Sequence, residues 1–301
     1  MASPLAGKAI LVTGAARGIG EHVARLAAAR GARVAAVGLE PDLLQALAAD
    51  LGEQHYWHEA DVTDQAALQA AVCGAVDALG GLDAVVANAG VANRGTVAVS
   101  PVEAMTRTIE VNLGGVVRTV SATLPHLLAS RGYYLLVSST AAFTALPGMA
   151  AYCAAKAGVE QFGNALRLET AHRGVQVGTA HPAWVETDLV RDVRDDLASF
   201  QAALRKLPWP LRSSMSGRAC AEALVRGVER RKRRIYVPRS VAVVQALRTL
   251  TLSPVSDHLI ALGGGRGALV EQMEAEMRGL GRFFGEHSTA WMDTTTTRPQ
   301  E

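Results

Sequence analysis

Three cysteines in 301 residues, Cys73, Cys153 and Cys220, stand scattered and without metal-ligand spacing. So sparse and odd a set speaks against a disulfide framework or a metal module and suits a reducing compartment. Charge of one sign is lacking as well. Lys and Arg total 30 against 28 Asp and Glu, a formal net charge of +2, so no global field draws the chain to nucleic acid. Aromatic residues make up only 5% while apolar residues reach 49%, a balance suited to a helix- and sheet-rich enzyme. No apolar run approaches the roughly 20 residues that a bilayer-spanning helix needs. The chain enters a strand soon after Met1, without the basic region and apolar core of a secretory signal. These absences predict a cytoplasmic protein with no metal, no nucleic-acid partner and no transmembrane segment. One large α/β domain with an extension fits this length better than two equal domains.

What the chain does have is alternation. Residues 8–13 (KAILVT) form a short apolar run suited to a central parallel strand. The run enters Gly14-Ala15-Ala16-Arg17-Gly18-Ile19-Gly20 and then an alanine-rich helix over 21–30. Strand, glycine-rich turn and helix in that order are the context of a dinucleotide fingerprint. The glycines let the backbone approach a pyrophosphate, and the helix start supplies unpaired N–H groups and a positive dipole end. Further strands are predicted over 33–38, at a short segment ending at Asp61, over 83–87 before Asn88-Ala89-Gly90, and over 133–137 before Ser139, with helices over 41–51 and 64–79. The pattern predicts a doubly wound parallel sheet with helices on both faces, a Rossmann-type α/β fold. Ligands in such sheets collect at the carboxyl ends of the strands, where Gly14, Gly38, Asp61, Asn88 and Ser139 fall.

The chemistry-bearing stretch runs from Ser139 to Lys156. Tyr152 and Lys156 are four residues apart, so a helix places both on one face. A phenol titrates near pH 10 and is a poor base at neutral pH; an ammonium beside it favours the phenolate. Tyrosine then becomes a proton shuttle for interconverting an alcohol and a carbonyl, with the Ser139 hydroxyl holding the substrate oxygen.

Together, Thr13-Gly14-x-x-x-Gly18-x-Gly20, Asp61-Val62, Asn88-Ala89-Gly90, Asn112, Ser139, Tyr152-x-x-x-Lys156, and Pro182 with Thr187 resemble the motifs of the short-chain dehydrogenase/reductase family, over roughly residues 5–238. The resemblance implies that Tyr152 is the acid/base, that Lys156 holds the nicotinamide ribose and lowers the tyrosine pKa, that Ser139 orients the substrate, and that Asn112 anchors a water of a proton relay. It also implies a cofactor site of Gly14, Arg17, Gly18, Ile19, Gly20, Gly38, Leu39, Asp61, Val62, Asn88, Ala89, Gly90, Tyr152, Lys156, Pro182, Val185 and Thr187. Where the family usually has Pro-Gly after the sixth strand, this chain reads Pro182-Ala183; one added methyl is expected to leave cofactor binding intact.

At the end of the second strand stands Gly38-Leu39-Glu40, without an acid at the position that usually reads the ribose 2′-hydroxyl. Arg17 is the nearby cation able to meet a 2′-phosphate, which tilts the cofactor toward NADP. Glu40, one residue of shift away, keeps NAD open. Residues 188–216 are expected to form a helical flap over the substrate, since Leu189, Val193, Leu197 and Phe200 recur at helical spacing. Thr140, Phe143, Met149, Trp184 and Leu189 are the candidate substrate wall, and their apolar character predicts a hydrophobic alcohol or ketone, lipid- or steroid-like.

Beyond the basic run at 229–234 and a last strand ending near Pro238, residues 239–285 read as a helical extension and 286–301 as a disordered tail. The extension is expected to pack on its own subunit or a neighbour, with a cover over the pocket and a peripheral membrane contact left open. The family implies a homodimer or homotetramer. The reading is an NAD(P)-dependent oxidoreductase of apolar alcohols and ketones. Its alternatives are a non-catalytic dinucleotide-binding sensor and a membrane-surface lipid-modifying dehydrogenase.

Overall fold

The structure, a computed structural model, describes residues 3–206, 214–254 and 266–285. Its centre is a parallel sheet of seven strands: β1 (Ala9–Thr13), β2 (Arg33–Gly38), β3 (Tyr56–Glu59), β4 (Ala84–Ala87), β5 (Tyr133–Val137), β6 (Gln176–Pro182) and, after a two-stranded ribbon, β9 (Arg234–Val237). They lie in the order β3-β2-β1-β4-β5-β6-β9. The ribbon pairs β7 (Trp184–Glu186) in parallel with β8 (Ser214–Ser216).

The continuous apolar runs of the central strands follow from burial on both faces. β1, β4 and β5 are buried at every residue. Because successive side chains point to opposite faces, Ile10 and Val12 join one core and Ala9 and Leu11 the other. The first core takes Val23, Ala24 and Ala27 from α1 (Gly18–Ala29), Leu44 and Leu47 from α2 (Pro41–Leu51), and Leu224 from α9 (Gly217–Glu229). The second takes Leu68 and Val72 from α3 (Gln65–Leu79), Val120 from α5 (Gly115–Ser130), and Val159 and Leu166 from α6 (Ala150–Thr170). Small residues on α1 and α3 let these helices sit close to the sheet.

Local signals set several boundaries. The Asp64 carboxylate caps α3 by accepting from the N–H groups of Ala66 and Ala67, and Gly80 ends it at φ 70°, a conformation that costs glycine least. The glycine turn folds into α1 earlier than expected, at Gly18 rather than Glu21. The third strand ends at Glu59, so Asp61 lies just past it. α4 (Val102–Ile109) continues through a π-helical turn, Glu110–Gly114, into α5.

The flap is not one helix. α7 (Asp188–Asp196) and α8 (Ala198–Lys206) are separated at Leu197, whose backbone is extended at φ −124°, ψ 104°. The extension contains α10 (Val241–Ala246), α11 (Arg248–Thr251) and α12 (Arg266–Leu280). The tail from residue 286 lies outside the described residues. Among the described residues, no helix is long and apolar enough to cross a membrane.

Candidate active site

The ends of β1 and β4 are stitched together. The Thr13 hydroxyl accepts from the N–H groups of Asn88 (3.1 Å) and Ala89 (3.2 Å). The Asn88 amide donates to the carbonyls of Thr13 and Gly14, each at 3.2 Å. Gly20 packs beneath this knot. A Cβ there would overlap the Gly14 carbonyl and lie 2.7 Å from Asn88 Nδ2. Gly14 turns at φ 63°, and a Cβ on it would lie 2.8 Å from Ala89 Cα. The loop therefore brings bare backbone and the start of α1 to the cleft floor, a cradle suited to a pyrophosphate. Gly20→Ala is expected to weaken dinucleotide binding by at least tenfold and to cost about 1–3 kcal/mol of stability through overpacking, read by NADH titration and urea unfolding.

Every cofactor residue expected from the sequence except Gly20 lines one cleft along the strand ends, together with Asn112, Ser139 and Leu189. Gly20 supports that cleft from below. Val111, Asp188 and Val190 line it too and were not read from the sequence; each adjoins a motif residue or the flap, but adjacency alone gave no reason to choose it. Four of the five expected substrate-wall residues lie outside this lining. Phe143 is 2% exposed and packs on the His181 ring at 5.4 Å. Trp184 stands edge-on to Phe200 of the flap at 5.2 Å. Thr140 is buried in a single turn after β5, and Met149 occupies the N-cap of α6. Packing between elements, not proximity to Ser139, decides these positions.

Around the reacting end, α6 presents Tyr152 and Lys156, the latter 3% exposed. Lys156 Nζ donates to the Val137 carbonyl at 3.0 Å and lies 5.6 Å from the Tyr152 ring centre. Burial lowers the lysine from its usual 10.5 to about 8. Burial likewise pushes the Tyr152 phenol up to about 12, opposed by the hydrogen bond from Ser139. In the protein alone the phenol is therefore raised, not lowered as expected, because desolvation dominates. Ser139 Oγ also accepts from the Ala141 N–H at 3.2 Å, and its carbonyl lies 3.3 Å from Nδ1 of the fully buried His181. His181 fills space between Phe143 and Tyr236.

Asn112 sits inside the π-turn, where its amide donates to the carbonyls of Val91 (2.6 Å) and Thr108 (2.8 Å). Its Oδ1 is buried with no hydrogen-bond partner. A Cβ built on Gly90 would lie 2.6 Å from that oxygen and 3.4 Å from Lys156 Nζ, so the two polar atoms face the same small space. Such π-turns recur at functional sites, and a buried acceptor of this kind is where an ordered water belongs.

Arg17 is engaged on both sides. Its Nε donates to Glu40 Oε2 at 2.9 Å, Nη2 pairs with Glu40 Oε1, and Nη1 reaches Asp188 Oδ2 at 3.3 Å. The hydrogen bond to Glu40 is the chief reason that the guanidinium pKa is raised. Asp61, just past β3, binds Arg107 at 2.7 Å. No group of three or more His, Cys, Asp or Glu side chains among the described residues is arranged to hold a metal ion.

Strand order and layering make this a Rossmann-type α/β protein. The short chain dehydrogenase family model matches residues 8–198. Residues of this chain are 34% identical over 205 positions to the 3-oxoacyl-(acyl-carrier-protein) reductase FabG of Vibrio cholerae, covering 68% of this chain and 83% of that one. They are 34% identical over 215 positions to a 3-alpha-(or 20-beta)-hydroxysteroid dehydrogenase of Mycobacterium tuberculosis, covering 71% and 82%. A stretch of 191 residues is 37% identical to the glycine betaine reductase ATRR of Emericella nidulans, covering 62% of this chain but only 15% of that protein. The chain belongs to the short-chain dehydrogenase family, and is an NAD(P)-dependent oxidoreductase acting on CH–OH and C=O groups.

Proposed function

We propose that the protein interconverts a secondary hydroxyl and a ketone on an apolar small molecule, with Tyr152 as acid/base, Ser139 and Lys156 as its partners, and Asn112 anchoring the proton path. The observation that carries this is the meeting of Tyr152, Ser139, Lys156 and the unsatisfied Asn112 oxygen in the cleft that the glycine loop floors. The Gly14–Gly20 cradle and the open strand ends fit a dinucleotide, and nicotinamide, when bound, supplies or accepts the hydride. In reduction, Tyr152 gives its proton to the substrate oxygen; in oxidation it takes that proton back. Burial keeps the phenol protonated, the form that the first task starts from. The second requires the Lys156 ammonium to stabilise the phenolate, and Ser139 to hold the oxygen in line. A water held by Asn112 would carry the proton onward past Lys156.

Val91, Val111, Leu189 and Val190 give the cleft an apolar outer wall, which supports a hydrophobic substrate, as does the hydroxysteroid dehydrogenase relative. A sensor that only binds a dinucleotide has no need of the serine, tyrosine and lysine together. The free cysteines support a reducing, cytoplasmic setting, and exposed Val117 and Leu168 on α5 and α6 support self-association through those helices.

The cofactor reading shifts to NAD. Arg17 is already shared by Glu40 and Asp188, so a 2′-phosphate entering here meets two carboxylates for one cation. The Glu40 carboxylate stands where it can accept from a ribose hydroxyl. Separate titrations with NADH and NADPH are expected to show NADH binding at least ~10-fold tighter, about 1.4 kcal/mol. In Glu40→Gln the gap should narrow as Arg17 is released to meet phosphate. Equal or tighter NADPH binding by the unaltered protein would return the assignment to Arg17 as a phosphate ligand.

A further inference from the structure

The extension beyond the family match is built into the wall of the cleft. α12 lies along the flap, with Met273 and Met277 buried against Val193, Leu197 and Phe200. Glu276 accepts from the Ser199 hydroxyl at 2.6 Å and from the Ser199 N–H at 3.2 Å. That places a carboxylate on the first turn of α8, where the exposed N–H groups and helix dipole favour it. The same helix leans on two loops of the sheet domain. Glu274 accepts from the Thr96 hydroxyl at 2.7 Å, and a Cβ on Gly148 would overlap Met273 Sδ.

Past α12 the chain turns inward. The Phe283 carbonyl accepts from the Arg94 N–H at 2.8 Å, and Phe284 packs into Val62, Val91, Ala104 and Val111. Three of these, Val62, Val91 and Val111, line the cleft on their other side. Arg94, only 2% exposed, pairs with Asp196 and lies 3.8 Å from Asp192, both on α7; Arg282 binds Asp196 at 2.7 Å. Gly285 closes over this cluster so tightly that a Cβ would overlap the Asp192 carboxylate. Leu189 and Val190, on the preceding turn of α7, form the outer wall of the cleft.

We propose that residues 266–285 are an intramolecular strap that holds the α7–α8 flap onto the loop after β4, and so fixes the outer wall of the substrate cleft, with Glu276, Arg282 and the buried Arg94 as positioning residues. Flap and cleft wall then move only when the strap yields. Admission of a bulky substrate is thereby coupled to a segment of this chain that lies beyond the matched family region. The consequence for catalysis rests on the function proposed above; the position of the flap does not.

Hydrogen exchange of the full chain, read by mass spectrometry without substrate, separates the two. In a Glu276→Gln/Arg282→Gln double variant, amides of residues 188–206 are expected to exchange about tenfold faster, the loss of charged hydrogen bonds holding α7 and α8. Peptides from β1, β4 and β5 should exchange as before, and Arg282→Lys alone should retain slow flap exchange. Gly285→Ala, which displaces the strap from the Arg94 cluster without removing a charge, should accelerate the same peptides. Unchanged flap exchange in both variants would overturn the proposal. Equal acceleration across the central strands would do so too, because it would make the strap a contributor to global stability only.

Discussion

Tyr152→Phe is expected to lower kcat by about 10³-fold, within the range general acid–base catalysis contributes, while NADH affinity stays within about twofold. The substitution removes one oxygen and leaves the ring, which stays packed on α6 near Lys156. No other described hydroxyl in the cleft can replace it without moving. Ser139 is held between the Ala141 N–H and the Pro182 carbonyl. Most of the surface proposed above for the cofactor is separate from the Tyr152 hydroxyl: it runs along the glycine loop, the end of β2 and the Asn88–Gly90 turn. Steady-state rates with a set of apolar secondary alcohols and ketones, beside a fluorescence titration with NADH, separate the two effects. Retention of kcat within tenfold would assign the proton transfer to another group. Loss of NADH binding with the rate would mean that the hydroxyl serves cofactor binding and not the proton transfer.

The parts of the site readable from the sequence are those where backbone geometry dictates the residue type. Gly14 and Gly20 admit no side chain against the Thr13–Asn88 knot, so that constraint is written in the composition of the turn. Strands β1, β4 and β5 are buried on both faces, so they appear as unbroken apolar runs. The spacing of Tyr152 and Lys156 follows from helix periodicity alone. What the sequence did not reveal depends on residues brought together from afar. Arg17 reads as a free cation until the fold sets Glu40 and Asp188 on either side of it. Phe143 and Trp184 read as a substrate wall for their apolar character, and the sequence does not show that each also packs on a partner brought from elsewhere, His181 and Phe200. The break between α7 and α8 at Leu197 was hidden because apolar spacing continues through it; the extended backbone there lets Ser199 turn its N–H to Glu276 on α12, a contact 77 residues distant.

Lys156→Met is expected to abolish most turnover and yet to stabilise the fold at pH 7 by about 2 kcal/mol. An ammonium that is 3% exposed and bonded to one carbonyl has lost most of its hydration, which is why its pKa falls from 10.5 to about 8. At roughly 1.4 kcal/mol per pH unit, that shift is a penalty of about 3 kcal/mol on the folded state. Methionine has similar bulk and no charge to desolvate; leaving the Val137 carbonyl unpaired returns about 1 kcal/mol. The sign follows from proton linkage. Between pH 8 and 10.5 the unfolded chain binds the proton that the folded chain has released, so native stability rises with pH through that window. The advantage of the methionine variant is therefore full below about pH 8 and gone by about pH 10.5. Urea unfolding of both proteins without cofactor at pH 7 and pH 10 reads this directly. A variant less stable than the parent at pH 7 would mean that the ammonium is held by compensating partners and is part of the structural core. The expected result would make Lys156 a charge kept in an unfavourable place, which favours the role proposed for it beside Tyr152.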